Sequence, residues 1–229
     1  MQYEEVLEKL EFLKNKKFAK GMSRFGIKPK TKVYGIPVPK LRKIAKSIGK
    51  NHSLALKLWE AKIHEARLLA GFIDEPEKIT KKQFEKWILD FDSWDICDQV
   101  CGNLFDKTKF VYKKIFALAK RKKEFVKRTA FTLMACLAVH NKEMIDKDFL
   151  AFFPLIKKES VDERNFIKKA VNWALRQIGK KNKNLHKKVI ILAKEIYNIN
   201  SKSAKWIANN AIRELESNKI KNKIYGFKR

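Results

Sequence analysis

The sequence predicts an all-α fold of stacked helix pairs, and three observations carry this prediction. Apolar residues recur at spacings of three and four along most of the chain, as in NFIKKAVNWALRQI and KKVIILAKEIY. No stretch alternates between apolar and polar residues as a half-buried strand does, and few Gly and Pro interrupt the pattern. One helical segment also recurs along the chain at a nearly constant spacing.

The recurrence is clearest toward the C-terminal end. AVNWALRQI at 170–178 aligns without a gap with IANNAIREL at 207–215, and EFVKR at 124–128 aligns with NFIKK at 165–169. The spacings, 37 and 41 residues, are those of helix-pair repeats such as HEAT or armadillo. We therefore predict an alpha-alpha superhelix of helix-pair repeats of the HEAT or armadillo kind, that is, a curved solenoid.

The length of 229 residues suits a single domain over 1–229. The one long non-helical candidate is residues 21–38, where Gly and Pro punctuate a basic segment before Pro39 opens the next helix. The basic sequence SNKIKNKIYGFKR at 217–229 is either an ordered cap or a loose tail, and its composition slightly favours the loose tail.

Charge indicates the class of partner. The chain has 53 Lys and Arg against 25 Asp and Glu, a formal charge of +28. A compact protein with such a charge repels itself unless an anion binds it, and nucleic acid is the leading candidate. Only nine of the basic residues are Arg, so a Lys excess spread over every surface by codon usage is the alternative.

The repeat register places basic residues at equivalent positions. Lys127, Lys168 and Lys205 align in successive copies, and Arg128 and Lys169 follow the first two. Equivalent positions of a solenoid stack into a stripe along one face, which predicts a basic track suited to a duplex backbone. The alternative is that Lys is so common here that any register contains some.

The acidic stretch FDSWDICDQVCGN contains a helix start and one aspartate that the start does not explain. Ser93 is placed to cap the helix, and Asp92 and Asp95 suit its beginning, where unpaired amides favour a carboxylate. Asp98 lies one turn after Trp94 on the same helix face. An aromatic ring beside a carboxylate suits a cationic ligand, although a buried Trp with a solvated Asp is the more common arrangement.

Two further positions can contact nucleic acid. Arg128 precedes a long apolar run, where it can clamp a phosphate or simply extend its head group to solvent. Trp173 lies four residues after Lys169 and three before Arg176, so cations flank it on one helix face. This pattern favours a nucleic-acid surface, with a place in the core as the alternative.

Other chemistries lack their motifs. The sequence has no Gly-rich phosphate loop, no GxSxG and no His pair with a Glu at metal spacing, so we expect no metal and no cofactor. Cys97, Cys101 and Cys136 are predicted to be reduced and buried. Because the sequence has no signal-peptide pattern and no membrane-length apolar run, we expect a cytoplasmic protein without membrane contact, nucleoid-associated in a bacterium or archaeon. We also expect a monomer with no obligate protein partner.

These residues resemble the AlkD family of DNA alkylation repair glycosylases, built from HEAT-like repeats, from about GMSRFGI to about WALRQIGKKN. SWDICDQV matches the Trp-Asp-x-x-Asp core of that family, and FVKRTAF carries its Arg before an apolar run. FIKKAVNWALRQ is similar to the segment with its second tryptophan, and HEARLLAGF resembles its repeat consensus. YGIPVPKLRKIAK is similar to the stretch that leads into an early helix, and the motifs occur in the order of the family.

The resemblance implies roles for these residues. Asp98 is the catalytic carboxylate, Trp94 and Trp173 flank the lesion nucleotide, and Arg128 holds the DNA backbone. Phe25 falls where many members have Tyr, which keeps an aromatic surface and removes a hydroxyl. The remaining backbone contacts are expected from the basic positions Lys127, Lys168, Lys169, Arg176 and Lys205.

The implied activity is hydrolysis of the N-glycosidic bond of cationic alkylated purines, of the 3-methyladenine and 7-methylguanine type, in double-stranded DNA. A carboxylate stabilises the oxocarbenium ion and positions water. The alternative is a catalytically silent DNA- or RNA-binding module on the same scaffold. A protein-interaction solenoid for an acidic partner would explain the charge but not the paired tryptophans.

Overall fold

The structure is a computed structural model that describes residues 1–226. Over those residues it contains fifteen α-helices and no strand, with one isolated β-bridge between Lys32 and Ile63. The chain divides into two compact units, Met1–Lys109 and Phe110–Arg229. The all-α prediction is confirmed, and a single domain over 1–229 stays a prediction.

The first unit is organised around its fifth helix, α5, of which nine of ten residues are buried. This helix pairs with α4 and packs against both α3 and α7. Short 3-10 turns follow α2, α5 and α7. The helices of this unit are α1 (Tyr3–Phe12), α2 (Lys16–Met22), α3 (Val38–Ile48), α4 (His52–Glu60), α5 (His64–Ile73), α6 (Lys81–Asp90) and α7 (Trp94–Asn103).

Aromatic side chains fill the core of the first unit. The rings of Trp59 and Trp87 stack with 3.9 Å between their centroids and 2° between their planes. Phe105 and Phe91 pack around the pair at centroid distances of 6.2 and 6.1 Å. The indole nitrogen of Trp59 donates to a carboxylate oxygen of Asp90 at 2.8 Å, so the buried ring keeps its polar atom satisfied.

The segment between α2 and α3 differs from the sequence prediction at its start. Residues 21–25 complete α2 and a 3-10 turn, so the irregular segment covers 26–37 instead of 21–38. Gly35 fixes its path, with φ at +75° and no space for a side chain, since a Cβ would lie against the carbonyl oxygen of Asn15 and 2.6 Å from the nitrogen of Ala19. The next helix begins at Val38, one residue before the predicted start.

The second unit is more regular. Its helices pair as α8 with α9, α11 with α12 and α13 with α14, and the later helices pack on one another, α9 on α12 and α12 on α14. This is the arrangement expected of helix-pair repeats. The helices are α8 (Val111–Leu118), α9 (Glu124–His140), α10 (Asp146–Leu150), α11 (Phe153–Glu159), α12 (Asn165–Gly179), α13 (Lys183–Tyr197), α14 (Lys202–Leu215) and α15 (Asn218–Tyr225).

The register predicted from the repeats is confirmed. Lys127, Lys168 and Lys205 are each the fourth residue of their helix, in α9, α12 and α14 respectively. The buried amide of Asn172 joins two of these helices, because its nitrogen donates to the carbonyl oxygen of Ile207 at 3.0 Å. Stacked helices of the second unit are therefore tied together by side chains at repeat positions.

The prediction of a loose tail is wrong for most of its length, because Asn218–Tyr225 form α15. Ile220 and Ile224 recur at a spacing of four, which gives the helix an apolar side. The hydroxyl of Tyr225 lies 3.1 Å from the ring nitrogen Nδ1 of His186, and α15 contacts α14. Residues 227–229 of the tail lie outside the described residues.

Two smaller observations complete the fold. Cys97, Cys101 and Cys136 are buried, as predicted. Across residues 1–226, no helix combines the length and apolar character needed to cross a bilayer.

Candidate functional site

Helix α7 carries two of the predicted site residues. It begins at Trp94, and Asp98 follows one helical turn later. Residues at i and i+4 project from the same helix face, and both side chains are half-buried. The structure therefore sets an aromatic ring and a carboxylate side by side along one helix.

Phe25 joins this group through its backbone. The indole nitrogen of Trp94 donates to the carbonyl oxygen of Phe25 at 2.9 Å, which fixes the edge of the indole. Phe25 itself is 73% exposed. Its ring thus offers an aromatic surface to solvent, and its carbonyl oxygen orients Trp94.

Trp94 and Phe25 border a cavity of about 470 Å³ inside the first unit. The cavity is bordered by the helices α2, α5 and α7 and by the irregular segment 26–37 that leads to α3. His64, Glu65 and Asp95 are the titratable residues of its wall from α5 and α7. The rest of the wall is mainly apolar, with Phe18, Met22, Ile27, Ile36, Val38 and Leu68.

A buried histidine and aspartate form an ion pair in this wall. The Nε2 atom of His64 lies 2.8 Å from a carboxylate oxygen of Asp95. Burial favours the neutral form of His64, but the hydrogen bond and charge of Asp95 outweigh it, so the pKa of His64 is raised. Burial likewise favours neutral Asp95, but the hydrogen bond and charge of His64 leave the pKa of Asp95 lowered. The hydrogen bond therefore favours the protonated form of His64 and the ionised form of Asp95.

The carboxylate of Glu65 holds the segment that closes the other side of the cavity. Its two oxygens accept hydrogen bonds from the backbone amides of Tyr34 at 2.9 Å, Gly35 at 2.6 Å and Ile36 at 3.3 Å. Glu65 is 1% exposed, and a buried carboxylate needs such donors. Glu65 thus positions Ile36 in the cavity wall.

The structure corrects the roles predicted at the start of α7. Ser93 occupies the N-cap position, but its side chain accepts no capping hydrogen bond. Asp95 lies in the first turn as predicted, and its carboxylate pairs with His64. Asp92 accepts a hydrogen bond from the amide of Lys30 at 2.7 Å, so it anchors the irregular segment before α3.

Arg128, in the second unit, joins two helices. Its guanidinium donates to the carbonyl oxygen of Phe166 in α12, and the residue is only 5% exposed. The structure therefore shows a packed arginine where the sequence left a phosphate clamp and a solvent-directed head group open. Contact with DNA stays a prediction for this residue.

Lys127 departs from the exposed track predicted for it. Its ammonium pairs with Glu159 and lies 3.4 Å from Asp162, and its side chain is 12% exposed. Burial raises the pKa of Asp162, but the hydrogen bonds and charge of Arg164, with the charge of Lys127, leave it lowered. Lys127 therefore ties α9 to the end of α11 and the turn before α12.

Arg176 is also engaged within the second unit. It pairs with Glu214 of α14, which Lys180 contacts as well. Burial raises the pKa of Glu214, but its hydrogen bonds to Lys180 and Arg176 leave it lowered. Arg176 and Lys127 thus join successive repeats, as Asn172 does.

The remaining predicted cations lie on α12 and α14. Lys169 and Lys205 are exposed, and Lys168 is half-buried with its ammonium 5.2 Å from the ring centroid of Trp206. Trp206 is 40% exposed. We call these four residues the α12–α14 surface. Trp173 is half-buried on α12, one turn after Lys169.

Sequence reasoning missed several of these residues. The His64 and Asp95 pair joins positions 31 apart in sequence, so no local pattern indicates it. Glu65 stands within the quoted stretch HEARLLAGF, but its backbone partners lie in another segment. Trp206 was detectable, since it follows Lys205 directly. In the part of the chain that the structure describes, no three His, Cys, Asp or Glu side chains are grouped to hold a metal ion.

The fold and these contacts define an all-α protein of HEAT-like repeats. A solved structure with the same fold is described as "a new family of proteins related to the HEAT-like repeat DNA glycosylases with affinity for branched DNA structures". The two structures overlap with a TM-score of 0.78 at 19% sequence identity, over 93% of this chain and 95% of that one. This confirms the predicted fold class.

The chain belongs to the DNA alkylation repair enzyme family, whose model matches residues 6–215. The resemblance found in the sequence is thereby confirmed. An uncharacterized protein of Listeria monocytogenes is 30% identical over 95 residues, which are 40% of this chain and 42% of that protein. The chain therefore spans less than half the length of this curated relative.

Proposed function

We propose that the chain is a DNA glycosylase that hydrolyses the N-glycosidic bond of cationic alkylated purines in duplex DNA. The observation that carries the proposal is the face of α7. There Trp94 is oriented by the carbonyl of Phe25, and Asp98 follows one turn later on the same side. Membership of the DNA alkylation repair enzyme family supports the same chemistry.

The chemistry needs few groups from the protein. A purine alkylated at N3 or N7 carries a positive charge, so it leaves without being protonated. As the bond from C1′ to the base breaks, its electron pair goes to the base, and the sugar becomes an oxocarbenium ion. Water attacks C1′ and loses a proton, which gives an abasic deoxyribose and the neutral base.

Asp98 is the group proposed to stabilise this transition state. A fixed carboxylate beside the sugar lowers the energy of the positive charge that develops there and can orient the attacking water. The ring of Trp94 adds attraction to the cationic base through its quadrupole. Trp173 is proposed as a second aromatic contact with the lesion.

DNA binding is proposed for the basic surface of the second unit. The net charge of +28 attracts a polyanion, and Lys168, Lys169 and Lys205 present cations at repeat positions. Arg128 is also proposed to hold the DNA backbone. Lys127 and Arg176 are expected to act mainly by fixing the helices that carry these cations.

The test is release of 3-methyladenine and 7-methylguanine from methylated duplex DNA by the purified chain. We expect release by the wild type and by Glu60→Gln, which removes an exposed carboxylate of the first unit. We expect Asp98→Asn to bind the same DNA without releasing base. Failure of the wild type to release base from any cationic lesion would refute the proposal.

A second candidate, a DNA-binding module without catalysis, is supported by two observations. The structurally similar protein is described as having affinity for branched DNA, and Trp206 is exposed with the ammonium of Lys168 5.2 Å from its ring centroid. Exposed aromatic rings among cations can stack on unpaired bases. Tighter binding to a four-way junction than to methylated duplex, without base release, would favour this candidate.

A further inference from the structure

A groove in the second unit is lined by none of the residues proposed to contact DNA. Its volume is about 460 Å³, within the roughly 300–1,000 Å³ of binding pockets. Its walls come from α11, from α13 and from the last residue of α10, and none of its lining residues belongs to α12 or α14. We call it the α11–α13 groove.

One wall of the groove is apolar for most of its length. Leu150 and Phe153 are half-buried there, and Pro154 is exposed. Lys157 follows one turn later, and its ammonium lies 2.7 Å from a carboxylate oxygen of Glu195 on α13. Both side chains of this ion pair are about half exposed, so the pair forms a polar rim at one end of an apolar surface.

The other wall contains an isoleucine that the packing of α13 does not use. The helix packs through a stripe of buried apolar residues, Leu185, Val189, Leu192 and Ile196. Ile191 lies outside this stripe and is 59% exposed, in the groove between Lys188 and Glu195. An apolar patch with a polar rim is typical of an interaction site, and a partner that covers Ile191 removes its surface from water.

The charges of the groove favour an acidic partner. Lys188 lines the groove two turns before Glu195, about 10 Å away along the helix. Glu195 is already paired with Lys157, so the ammonium of Lys188 is the group that a carboxylate of a partner can reach. A second copy of the chain has its own formal charge of +28 and is repelled, whereas an acidic partner is attracted.

We propose that the α11–α13 groove binds an acidic amphipathic helix of a partner protein. Such a helix places apolar side chains at spacings of three and four into an apolar groove. Here they contact Phe153, Pro154 and Ile191, and a carboxylate of the same helix pairs with Lys188. The proposal goes beyond the glycosylase activity and does not depend on it.

The first test compares two synthetic peptides of the same composition that carry a fluorescent label. In one peptide Leu recurs at spacings of three and four between Glu and Ala, and in the other the same residues are shuffled so that no apolar face forms. We expect the patterned peptide to bind the full chain at least about tenfold more tightly, as measured by fluorescence anisotropy. Equal affinities would show attraction by charge alone and would overturn the proposal.

Two isoleucine variants locate the apolar contact. Ile191→Ala should weaken binding of the patterned peptide at least about fivefold, the loss expected of a central interface residue. Ile145 is also exposed, at 63%, and lies outside the groove, so Ile145→Ala should change the affinity less than about twofold. Equal affinities in the two variants would overturn the proposal.

Two lysine variants test the charged contact. Lys188→Ala should weaken the patterned peptide about threefold, as an exposed ion pair does. Lys187→Ala removes the same charge from an exposed position of the same helix outside the groove, and should have a smaller effect. An equal loss in the two variants would overturn the assignment of Lys188 to the carboxylate of the partner.

Sedimentation velocity of the chain alone tests a second copy as the occupant. We expect a monomer, because the net charge opposes self-association. A dimer that Ile191→Ala dissociates would assign the groove to a second copy and overturn the proposal of an acidic partner.

Discussion

The two units are both built from packed helices and place their polar side chains differently. In the first unit the buried polar groups surround α5, where Glu65 holds backbone amides and His64 pairs with Asp95 beside a cavity. In the second unit the ion pairs of Lys127 and Arg176 join one repeat to the next. The first unit therefore carries its buried polar groups in and around a cavity wall, and the second uses its ion pairs to join successive repeats.

The two buried histidines show the same contrast. His64 pairs with the carboxylate of Asp95 in the wall of the cavity. His186 lies 3.1 Å from the carbonyl oxygen of Leu215 and 3.1 Å from the hydroxyl of Tyr225, both neutral partners. The carboxylate partner of His64 makes the stability of the first unit dependent on pH.

The largest effect on stability is expected from Gly35→Ala, which tests how strictly the backbone of the segment 26–37 is fixed. The positive φ and the collision with the backbone of α2 should lower the free energy of unfolding by about 4 kcal/mol. Urea denaturation measures this change. As the matched control, Gly21→Ala should raise it by about 0.5–1 kcal/mol. Similar changes in the two variants would show that the segment is not fixed at Gly35.

The next effect concerns the ion pair of the first unit. Asp95→Asn leaves the buried His64 without its charged partner and should cost about 3 kcal/mol of unfolding free energy at pH 6. Denaturation of the variant at several pH values measures it. A loss below 1 kcal/mol would mean that the pair does not hold the wall of the cavity.

The same pair predicts how stability depends on pH. Because the pKa of His64 is raised above 6.5, its contribution is complete below pH 6.5 and is lost as the pH rises through the raised value. Because the pKa of Asp95 is lowered below 3.8, its contribution is complete above pH 3.8 and is lost as the pH falls through the lowered value. As the pH rises through the raised pKa of His64, we expect the wild type to lose free energy of unfolding and Asp95→Asn not to. An identical loss in the two proteins would assign the pH dependence to another group.

Much of the fold could be predicted from the sequence, because it depends on local periodicity. The spacing of AVNWALRQI and IANNAIREL indicated the repeats, and it placed Lys127, Lys168 and Lys205 at the same position of three helices. Exposure could not be predicted in this way. Lys127 is paired because Glu159 and Asp162 lie beside it in space, which register alone does not reveal.

The candidate site, too, could be predicted from the sequence only in part. Trp94 and Asp98 share a face because they are one helical turn apart, and the sequence shows this directly. The cavity, the orientation of Trp94 by Phe25 and the pairing of Asp95 depend on contacts between distant segments. Asp95 has an adequate local explanation at a helix start, and that explanation conceals its long-range partner.

A smaller effect tests the role of ion pairs between repeats. Lys127→Met should lower the free energy of unfolding by about 1–2 kcal/mol, since it leaves Glu159 poorly compensated in a half-buried place. The matched control is Lys157→Met, whose pair with Glu195 is exposed and should contribute about 0–0.5 kcal/mol. Chemical denaturation compares the two. Equal losses of unfolding free energy in the two variants would show that the ion pair of Lys127 stabilises the protein no more than an exposed ion pair does.

The smallest effect on stability is expected at the α12–α14 surface. Lys205→Ala should change the free energy of unfolding by less than about 0.5 kcal/mol and reduce the slope of log affinity for duplex DNA against log salt by about 1. Lys57→Ala, at an exposed position of α4 in the first unit, should leave the slope unchanged. Titrations at several salt concentrations measure both. A reduced slope in both variants would indicate that DNA contacts the basic surface outside α12 and α14 as well.

The most direct test of the account is the rate of base release in a single turnover, with enough protein to bind all of the methylated duplex. If α7 carries the chemistry, Asp98→Asn should release 7-methylguanine at least about 100-fold more slowly than the wild type. Glu60→Gln should match the wild type. An Asp98→Asn rate within a factor of three of the wild type, at full DNA occupancy, would contradict the assignment of catalysis to this carboxylate.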